Sequence, residues 1–437
     1  MSNETKETKK NKNRGKHVTN QKRKAFPRKK GYIVALLLLA LVTAAFFVML
    51  ILADLLPSDL TVILALVVVA LLLLTNFMFS SRYRWKRLIG IVLSAVLICV
   101  LASVTIFMGE TYAMLNSISG AGSQADASGP PADRVAVTEE PFNIYVTGID
   151  QWESEKGLDL ERSDVNMIIT VHPVTKKVML TSIPRDSYVK LHTAQQMDKL
   201  THTGVYGVDE TINTVQDWLG IDLNYYLKMN FSAAVEIIDA LGGVKVYSPV
   251  AFDSSLKDYH YKKGWQYLGG YKALYFARER HAFEGEDSAR VENQQIIVKA
   301  VIEKMTSSTA LLTNYGEVMS AASRNMRTNM SSDEMLALVK MQLTDLSEWD
   351  VQTQKMEGEY GEDYVASLTQ KQKFSVYRVD PESEAKCVEG IKKVMNPSES
   401  ELEKARENSK KGFILNGIQR TVDKVKSKTG KEEQEES

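Results

Sequence analysis

The chain has 437 residues, 44% of them apolar and 25% charged, with 54 basic side chains against 54 acidic ones and so no formal net charge at pH 7. These values exclude a disordered polyelectrolyte, a collagen-like chain and a highly basic nucleic-acid binder, and the length suits roughly two to three domains. The charges are nevertheless segregated: the first 107 residues hold sixteen basic and four acidic side chains, leaving 38 basic and 50 acidic ones beyond them.

Residues 1–30 carry twelve of those basic side chains, from Lys6 to Lys30, and read as a basic cytoplasmic tail. Three charge-free apolar runs follow, at about 31–52, 60–79 and 88–107. At 1.5 Å of rise per residue each is long enough to cross about 30 Å of hydrocarbon, so all three are predicted to be transmembrane helices. The connection 53–59 has no basic residue, whereas the next one carries Arg82, Arg84, Lys86 and Arg87. The positive-inside rule then places the tail and the second loop in the cytoplasm, and three crossings put everything after Phe107 outside the cell. The expected location is thus a multi-pass anchor in the cell membrane, with the lipid bilayer as a partner and nucleic acid excluded. Two cysteines, Cys99 in the third run and Cys387 near the far end, leave no plausible disulfide, which fits a bacterium whose exported proteins seldom rely on disulfides.

Residues 108–140, with Ser117, Gly120, Gly122, Gly129, Pro130 and Pro131, have the composition of an extracellular linker. Dense patterning begins at Phe142. Phe142, Ile144 and Val146 alternate as a strand ending at Gly148-Ile149-Asp150, and two apolar runs, 167–171 and 178–183, flank Pro173-Val174-Thr175-Lys176 as a β-hairpin. Val208, Ile212, Val215 and Leu219 have helical spacing, with Gly220 as the stop. Tyr225 to Phe231 alternates as a strand before a helix over 235–241, and a last helix starts at Ser288. This order predicts an α/β protein, an α/β/α sandwich with a central mixed sheet, over residues 141–310. Ser331 and Glu334 form a capping-box pattern, so 311–384 is expected to be a helical appendage, and 385–437 a charged C-terminal tail.

Three segments concentrate charge in apolar surroundings: Arg162-Ser163-Asp164 before a strand, Pro184-Arg185-Asp186 after one, and Arg278-Glu279-Arg280 followed by Asp287, Arg290, Gln294 and Gln295. Residues two apart in extended chain share a face, which would aim Arg278 and Arg280 the same way, and Arg290 and Gln294 lie one helical turn apart. Arginines gathered near a helix start make a phosphate-type anion site, because the planar guanidinium pairs bidentately with phosphate oxygens. Asp150 and Asp164, at strand ends, either form internal salt bridges or hold a hard divalent cation together with substrate phosphate oxygens. From the residues alone, both remain open.

The ordered set Gly148-Ile149-Asp150, Arg162-Ser163-Asp164, His172-Pro173, Ser182-Ile183-Pro184-Arg185-Asp186, Lys199-Leu200, Leu268-Gly269-Gly270, Ala277-Arg278-Glu279-Arg280, Asp287, Arg290 and Gln294-Gln295 resembles the LytR-CpsA-Psr family of bacterial envelope proteins. The likeness covers about 142–305, and the set is specific where each motif alone is weak. The resemblance implies an α/β/α catalytic domain with an apolar pocket for a polyprenyl chain. It further implies Mg²⁺-dependent (or Mn²⁺-dependent) transfer of a polyprenyl-pyrophosphate-linked glycopolymer, whether capsule, teichoic acid or another wall polysaccharide, onto a peptidoglycan acceptor.

Carried over by motif, Asp150 and Asp164 are the metal-associated pair, and Arg162, Arg185, Arg278, Arg280, Arg290 and Gln294 the pyrophosphate contacts. Lys199 joins that binding set with less support, and Asp186 is a candidate base. The expected catalytic residues are Asp150, Asp164, Arg162, Arg185, Arg278 and Arg280. The family often has an arginine where this chain has Asn293, so the resemblance implies that one basic contact or surface pair is missing. His172 and His202 read as ordinary core or surface histidines. Two alternatives share the site: a polyprenyl-pyrophosphate hydrolase that uses water, and a noncatalytic carrier-binding regulator of envelope biogenesis.

Overall fold

The structure, a computed structural model, describes residues 30–411 apart from 54–57, 82, 125–133, 150–161, 284–285, 307–316, 319, 323–325, 346 and 369–371. The basic tail and the last 26 residues lie outside the described residues.

Each of the three apolar runs is helical: α1 (Lys30–Ala53), α2 (Ser58–Ser80) and α3 (Arg84–Gln124). Two stretches, Thr61–Phe79 and Arg84–Glu110, are long and apolar enough to cross a membrane, whereas the described apolar stretch of α1, Leu37–Ile51, is shorter. The helices pack on one another through Leu39, Phe46, Leu50, Val68, Leu97 and Leu101. The linker expected from residue 108 begins later, because α3 continues as helix to Gln124.

The next elements are β1 (Phe142–Ile149), β2 (Val165–His172), β3 (Lys177–Ser182), β4 (Tyr188–Lys190), β5 (Met197–Lys199), α4 (Leu200–Thr203), α5 (Val208–Leu219), β6 (Tyr225–Asn230) and α6 (Phe231–Ala240). A lobe of short pieces follows: β7 (Val244–Ser248), β8 (Phe252–Asp253), β9 (His260–Tyr261), β10 (Gly264–Leu268), α7 (Gly270–Arg278) and α8 (Glu286–Met305). The chain then gives β11 (Met326–Thr328), α9 (Ser332–Asp345), β12 (Asp350–Lys355), β13 (Gly358–Asp363), β14 (Phe374–Val379), α10 (Pro381–Met395) and α11 (Glu399–Lys411).

A mixed sheet in the order β11-β6-β1-β2-β3-β12 is the frame. The hairpin read at 173–176 is β2-turn-β3, antiparallel with Met167 opposite Ser182. β1 runs antiparallel to β2 and parallel to β6, and β3 runs parallel to β12, so β1, β3, β6 and β12 all end at one edge. Both faces are covered. Tyr145, Ile168 and Tyr226 pack against Ile212 and Val215 of α5 and Cys387 and Ile391 of α10. Phe142, Val146, Leu180 and Tyr225 pack on the other side against Val298 and Ile302 of α8 and Met335 and Leu338 of α9. The alternation Phe142, Ile144, Val146 therefore marks one face of a central strand whose intervening Tyr145 is equally buried, as strands covered on both sides require.

Local signals explain several boundaries. Gly220 closes α5 at φ +60, a left-handed position that glycine adopts without strain. At Gly270 a Cβ would stand 2.3 Å from the Val235 carbonyl oxygen, so only glycine lets α7 cross α6 this closely. The capping box forms as read: Glu334 N–H donates to Ser331 Oγ at 3.3 Å and Ser331 N–H to Glu334 Oε2 at 2.7 Å.

Beyond residue 310 the segmentation differs from the expected one. Residues 311–384 are not a helical appendage: β11 and β12 are the two edge strands of the central sheet, and β13 and β14 pair as a ribbon. Nor does a tail begin at 385. Cys387 and Ile391, both almost fully buried, belong to the core under β1, β2 and β6. Cys387 is a free thiol that burial pushes up to about 11, consistent with a packing role. Ile391→Ala should then lower stability by about 2 to 5 kcal/mol, seen as an earlier unfolding midpoint. An unchanged midpoint would place α10 outside the core.

Candidate active site

The edge where β1, β3 and β12 end and β2 begins opens into a cleft of about 400 Å³. Ligand sites in open α/β sheets commonly lie beyond carboxyl strand ends, where the backbone leaves the ladder. Asp164 and Asn166 reach the cleft from the start of β2, Arg185 from the end of β3, Arg290 and Gln294 from α8, and Lys355 from β12. The Pro184-Arg185-Asp186 loop is fixed on two sides: Thr201 N–H donates to Arg185 O and Tyr377 N–H to Asp186 O, each at 2.8 Å.

Arg185 forms an ion pair with Asp164 and lies 3.5 Å from the Asp186 carboxylate. Asp186 also holds Lys199, with Nζ 3.2 Å from Oδ1. A chain of alternating charge thus runs from Asp164 through Arg185 and Asp186 to Lys199. Arg290 and Gln294, one turn apart on α8, both face the cleft as their spacing predicted. The helix starts at Glu286, so Asp287 and Ser288 stand in its first turn rather than before it.

Of the other residues singled out, Asp150 lies outside the described residues and Arg162 is exposed. Arg278 and Arg280 do not line this cleft. Arg278, the last residue of α7, lies with its guanidinium 4.5 Å from the ring centre of Phe231, the residue that follows β6 at the same sheet edge. Arg280 donates from Nε to His281 Nε2 at 3.1 Å. Among the described residues no three His, Cys, Asp or Glu side chains converge as a metal cluster.

Between the two arginines, Glu279 is completely buried and organises the motif. Its carboxylate accepts from Ser255 N–H at 2.7 Å, from Ser254 and Ser255 Oγ at 2.9 Å each, and from the N–H groups of Arg280 and His281 at 3.0 Å. Asn293, where the resemblance left a missing arginine, is buried and donates to the Glu279 carbonyl at 3.3 Å. The Asn293 position is therefore a core tie between α8 and the arginine motif. The neighbouring Gln295 does similar work, donating to Ser182 Oγ at 3.0 Å and to Gln354 O at 2.6 Å.

The histidines are structural. His172 is buried, and its Nδ1 accepts from Thr175 N–H at 3.3 Å inside the β2-β3 turn. His202 Nδ1 lies 2.6 Å from Asp198 Oδ1 and 2.8 Å from Ser367 Oγ. Burial raises the Asp198 carboxyl, but hydrogen bonds from His202, Ser367 and Lys199 N–H outweigh it and hold the group below its ordinary range. This knot pins the corner from which Lys199 reaches Asp186.

Sequence reasoning missed Asn166, Lys355, Tyr360 and Tyr377, all of which line the cleft. Asn166 is 3% exposed, accepts from Tyr145 Oη at 2.7 Å, and its Nδ2 has no hydrogen-bond partner among the described residues. An amide donor kept dry at a cleft wall is satisfied when an anionic oxygen enters. Its signal was an amide side chain just ahead of the apolar run Met167 to Ile169. Tyr360 and Tyr377 meet edge to face, 5.0 Å between ring centres, on the β13-β14 ribbon that walls the cleft.

The protein is thus an α/β/α domain that gathers arginine, lysine and amide donors beyond its strand ends and is preceded by apolar helices. The chain belongs to the LytR_cpsA_psr family, whose model matches residues 111–390. It is 35% identical over 202 residues to a Bacillus cereus protein named polyisoprenyl-teichoic acid–peptidoglycan teichoic acid transferase TagU, covering 46% of this chain and 64% of that one. A TagU of the same full name from Bacillus mycoides is 34% identical over 216 residues, 49% of this chain and 68% of the relative. The chain thus spans about two thirds of the length of the curated relatives it matches. Among solved structures, protein gbs0355 from Streptococcus agalactiae superposes with a TM-score of 0.51 at 23% identity, over 61% of this chain and 93% of that one, and shows the same fold.

The buried Glu279 carries a pH signature. Burial raises its carboxyl, but hydrogen bonds from Ser255, Ser254 and Ala282 overcome that and hold it below 4.5 in the folded chain. The stability it contributes is complete above that pH and is lost as pH falls through the lowered folded value. Glu279→Gln should accordingly destabilise the full chain at neutral pH and progressively less below pH 4.5, measured as the difference in unfolding midpoint. A deficit independent of pH would contradict the ionised buried carboxylate.

Proposed function

We propose that the chain is a membrane-anchored phosphotransferase that moves a glycopolymer from a polyprenyl pyrophosphate carrier onto peptidoglycan outside the cell. The cleft carries this reading: Arg185, Arg290, Lys355, Gln294 and the unpartnered Asn166 amide converge where a pyrophosphate can lie. The name borne by the Bacillus relatives makes a teichoic acid the first polymer to test. For the anchor, the 24 residues of α1 at 1.5 Å each would also span about 30 Å, giving three crossings with the basic tail inside and the catalytic domain outside.

Asp164, at the start of β2, and Glu357 are the acidic residues among those described that line the cleft, beside oxygen and amide groups, and Asp164 is the proposed ligand. A hard cation such as Mg²⁺ takes one or two carboxylates and completes its shell with substrate phosphate oxygens, so this donor set fits it, with Asp150 as the proposed second ligand. Such an ion, when bound, would polarise the pyrophosphate and neutralise charge on it. The chain's own side chains do the positioning. Arg185 is held ready by Asp164, Asp186 and the backbone ties of its loop, and Arg290 and Gln294 project from one helix face. Arg162, Arg278, Arg280 and Lys199 are proposed as further contacts to the remaining pyrophosphate and glycan oxygens. Preorganised donors of this kind stabilise charge that develops as a peptidoglycan hydroxyl attacks the polymer-proximal phosphorus and polyprenyl phosphate leaves. Asp186, beside Lys199 and Arg185, is the candidate to accept the hydroxyl proton.

The test incubates the full chain in detergent or nanodiscs with a polyprenyl-pyrophosphate glycan, Mg²⁺ and peptidoglycan, and follows covalent glycan-phosphate-peptidoglycan. One lost charge-assisted contact is worth about 1.5 to 3 kcal/mol, so Arg290→Ala should slow transfer roughly ten- to hundredfold, and Asp164→Ala at least as much. Wild-type rates in both variants would overturn the site. Release of free glycan phosphate without ligation would favour the hydrolase, and tight binding without turnover the carrier protein.

A further inference from the structure

The antiparallel β7-β10 ribbon covers its lobe on one side only. Val244, Val246 and Leu268 point into the core with Phe252, Tyr261 and Phe276. The register sets Trp265 opposite Tyr247 and Tyr267 opposite Lys245, which places these four side chains together on the outer face. Tyr247, Trp265 and Tyr267 are 46%, 65% and 72% exposed. Single exposed apolar residues are ordinary, but three aromatic rings on one ribbon face are a patch that solvent alone does not favour.

Its charge is also out of keeping with its surroundings. Between positions 245 and 272 stand five lysines and two aspartates, in a part of the chain beyond residue 107 that is acidic by twelve charges. Lys245, Lys262 and Lys263 are all exposed. None of these residues lines the cleft, and nothing in the transfer reaction uses them.

We propose that this face docks on the surface of a bilayer that contains anionic headgroups. Trp and Tyr settle at the headgroup level because one end of each ring system is apolar and the other forms hydrogen bonds, and nearby lysines are drawn to anionic lipid. A sugar ring, the other ligand of exposed aromatics, needs a flat and open ring face. Trp265 instead has the Lys245 ammonium 5.0 Å from its ring centre and Tyr247 packed against it at 69°. That arrangement sets an ammonium group against the exposed rings, which suits a headgroup layer. The apolar helices α2 and α3 of the same chain supply a membrane within reach. Docking would hold the domain at a fixed attitude to the bilayer that its tether alone does not impose.

The experiment reconstitutes the full chain into vesicles whose lipids carry bromine in the upper acyl chain. Subtracting the emission of Trp265→Phe from that of the parent isolates Trp265 from Trp85, Trp152, Trp218 and Trp349. In vesicles containing phosphatidylglycerol, most of this difference emission is expected to be lost relative to unbrominated lipid. In phosphatidylcholine alone, and for a chain with Lys245→Glu, Lys262→Glu and Lys263→Glu, it is expected to be retained. Difference emission that survives in the anionic vesicles overturns the proposal, as does equal quenching in both lipids. Protection of Trp265 from acrylamide by soluble peptidoglycan fragments, with no bromolipid quenching, overturns it in favour of a glycan platform. The readout needs no turnover, so it stands apart from the transfer assay.

Discussion

The register of the β2-β3 hairpin is the constraint on which the cleft depends. Met167 lies opposite Ser182, and continuing that antiparallel pairing three residues beyond this pair sets Asp164 opposite Arg185. Their ion pair is therefore the extension of the ladder into side chains. A slip of one residue would turn the side chains of one strand to the other face and part Asp164 from Arg185. Neighbouring strands are keyed to the same hairpin. Asp164 N–H donates to Gly148 O at 2.8 Å at the end of β1, and Met356 N–H donates to Ser182 O at 3.0 Å at the end of β12. The ends of β1, β3 and β12 and the start of β2 are thereby aligned, and the loops that leave them have one place to converge.

Much of this was legible in the sequence because the deciding signals are local. The turn at Pro173 to Lys176 and the apolar runs beside it fix the hairpin, and with it the meeting of Asp164 and Arg185. The i, i+4 spacing fixes Arg290 beside Gln294. What escaped is the wall made by β12, β13 and β14. Asp350–Lys355 is an edge strand with Val351 as its single fully buried side chain, so its composition is polar and its pattern carries little amphipathic signal. Its strand character is imposed by pairing with β3, more than 170 residues earlier. Likewise Cys387 and Ile391 belong to a core whose other members lie far upstream, and a Lys- and Glu-rich helix that is wet on three sides looks from its sequence like a tail.

The arginine motif shows the same division between pattern and packing. Two arginines flanking a glutamate suggest three charges in water, with the middle one as a surface partner. In the fold the middle one is a buried acceptor, and its hydrogen bonds curl the following backbone and draw in the Ser254-Ser255 turn. Sequence periodicity in an extended segment predicts a shared direction for Arg278 and Arg280. The helix that ends at Arg278 sends that side chain over Phe231 instead, while Arg280 turns to His281. Burying one carboxylate so thoroughly is tolerable only because several donors surround it.

Salt bridging and ligand binding need not compete at Asp164. Its pair with Arg185 is only partly buried, with about 30% of each side chain exposed, so its own worth to stability is small. The pair sits at the cleft wall, where the effective dielectric rises with water and falls when a ligand displaces it. A guanidinium already aimed by one carboxylate loses little side-chain freedom on meeting a phosphate. On the proposed reading, the carboxylate, relieved of part of its partner, would have oxygen lone pairs with which to hold a divalent cation. A structural pair at the cleft wall can thus serve as the preorganised form of a binding pair.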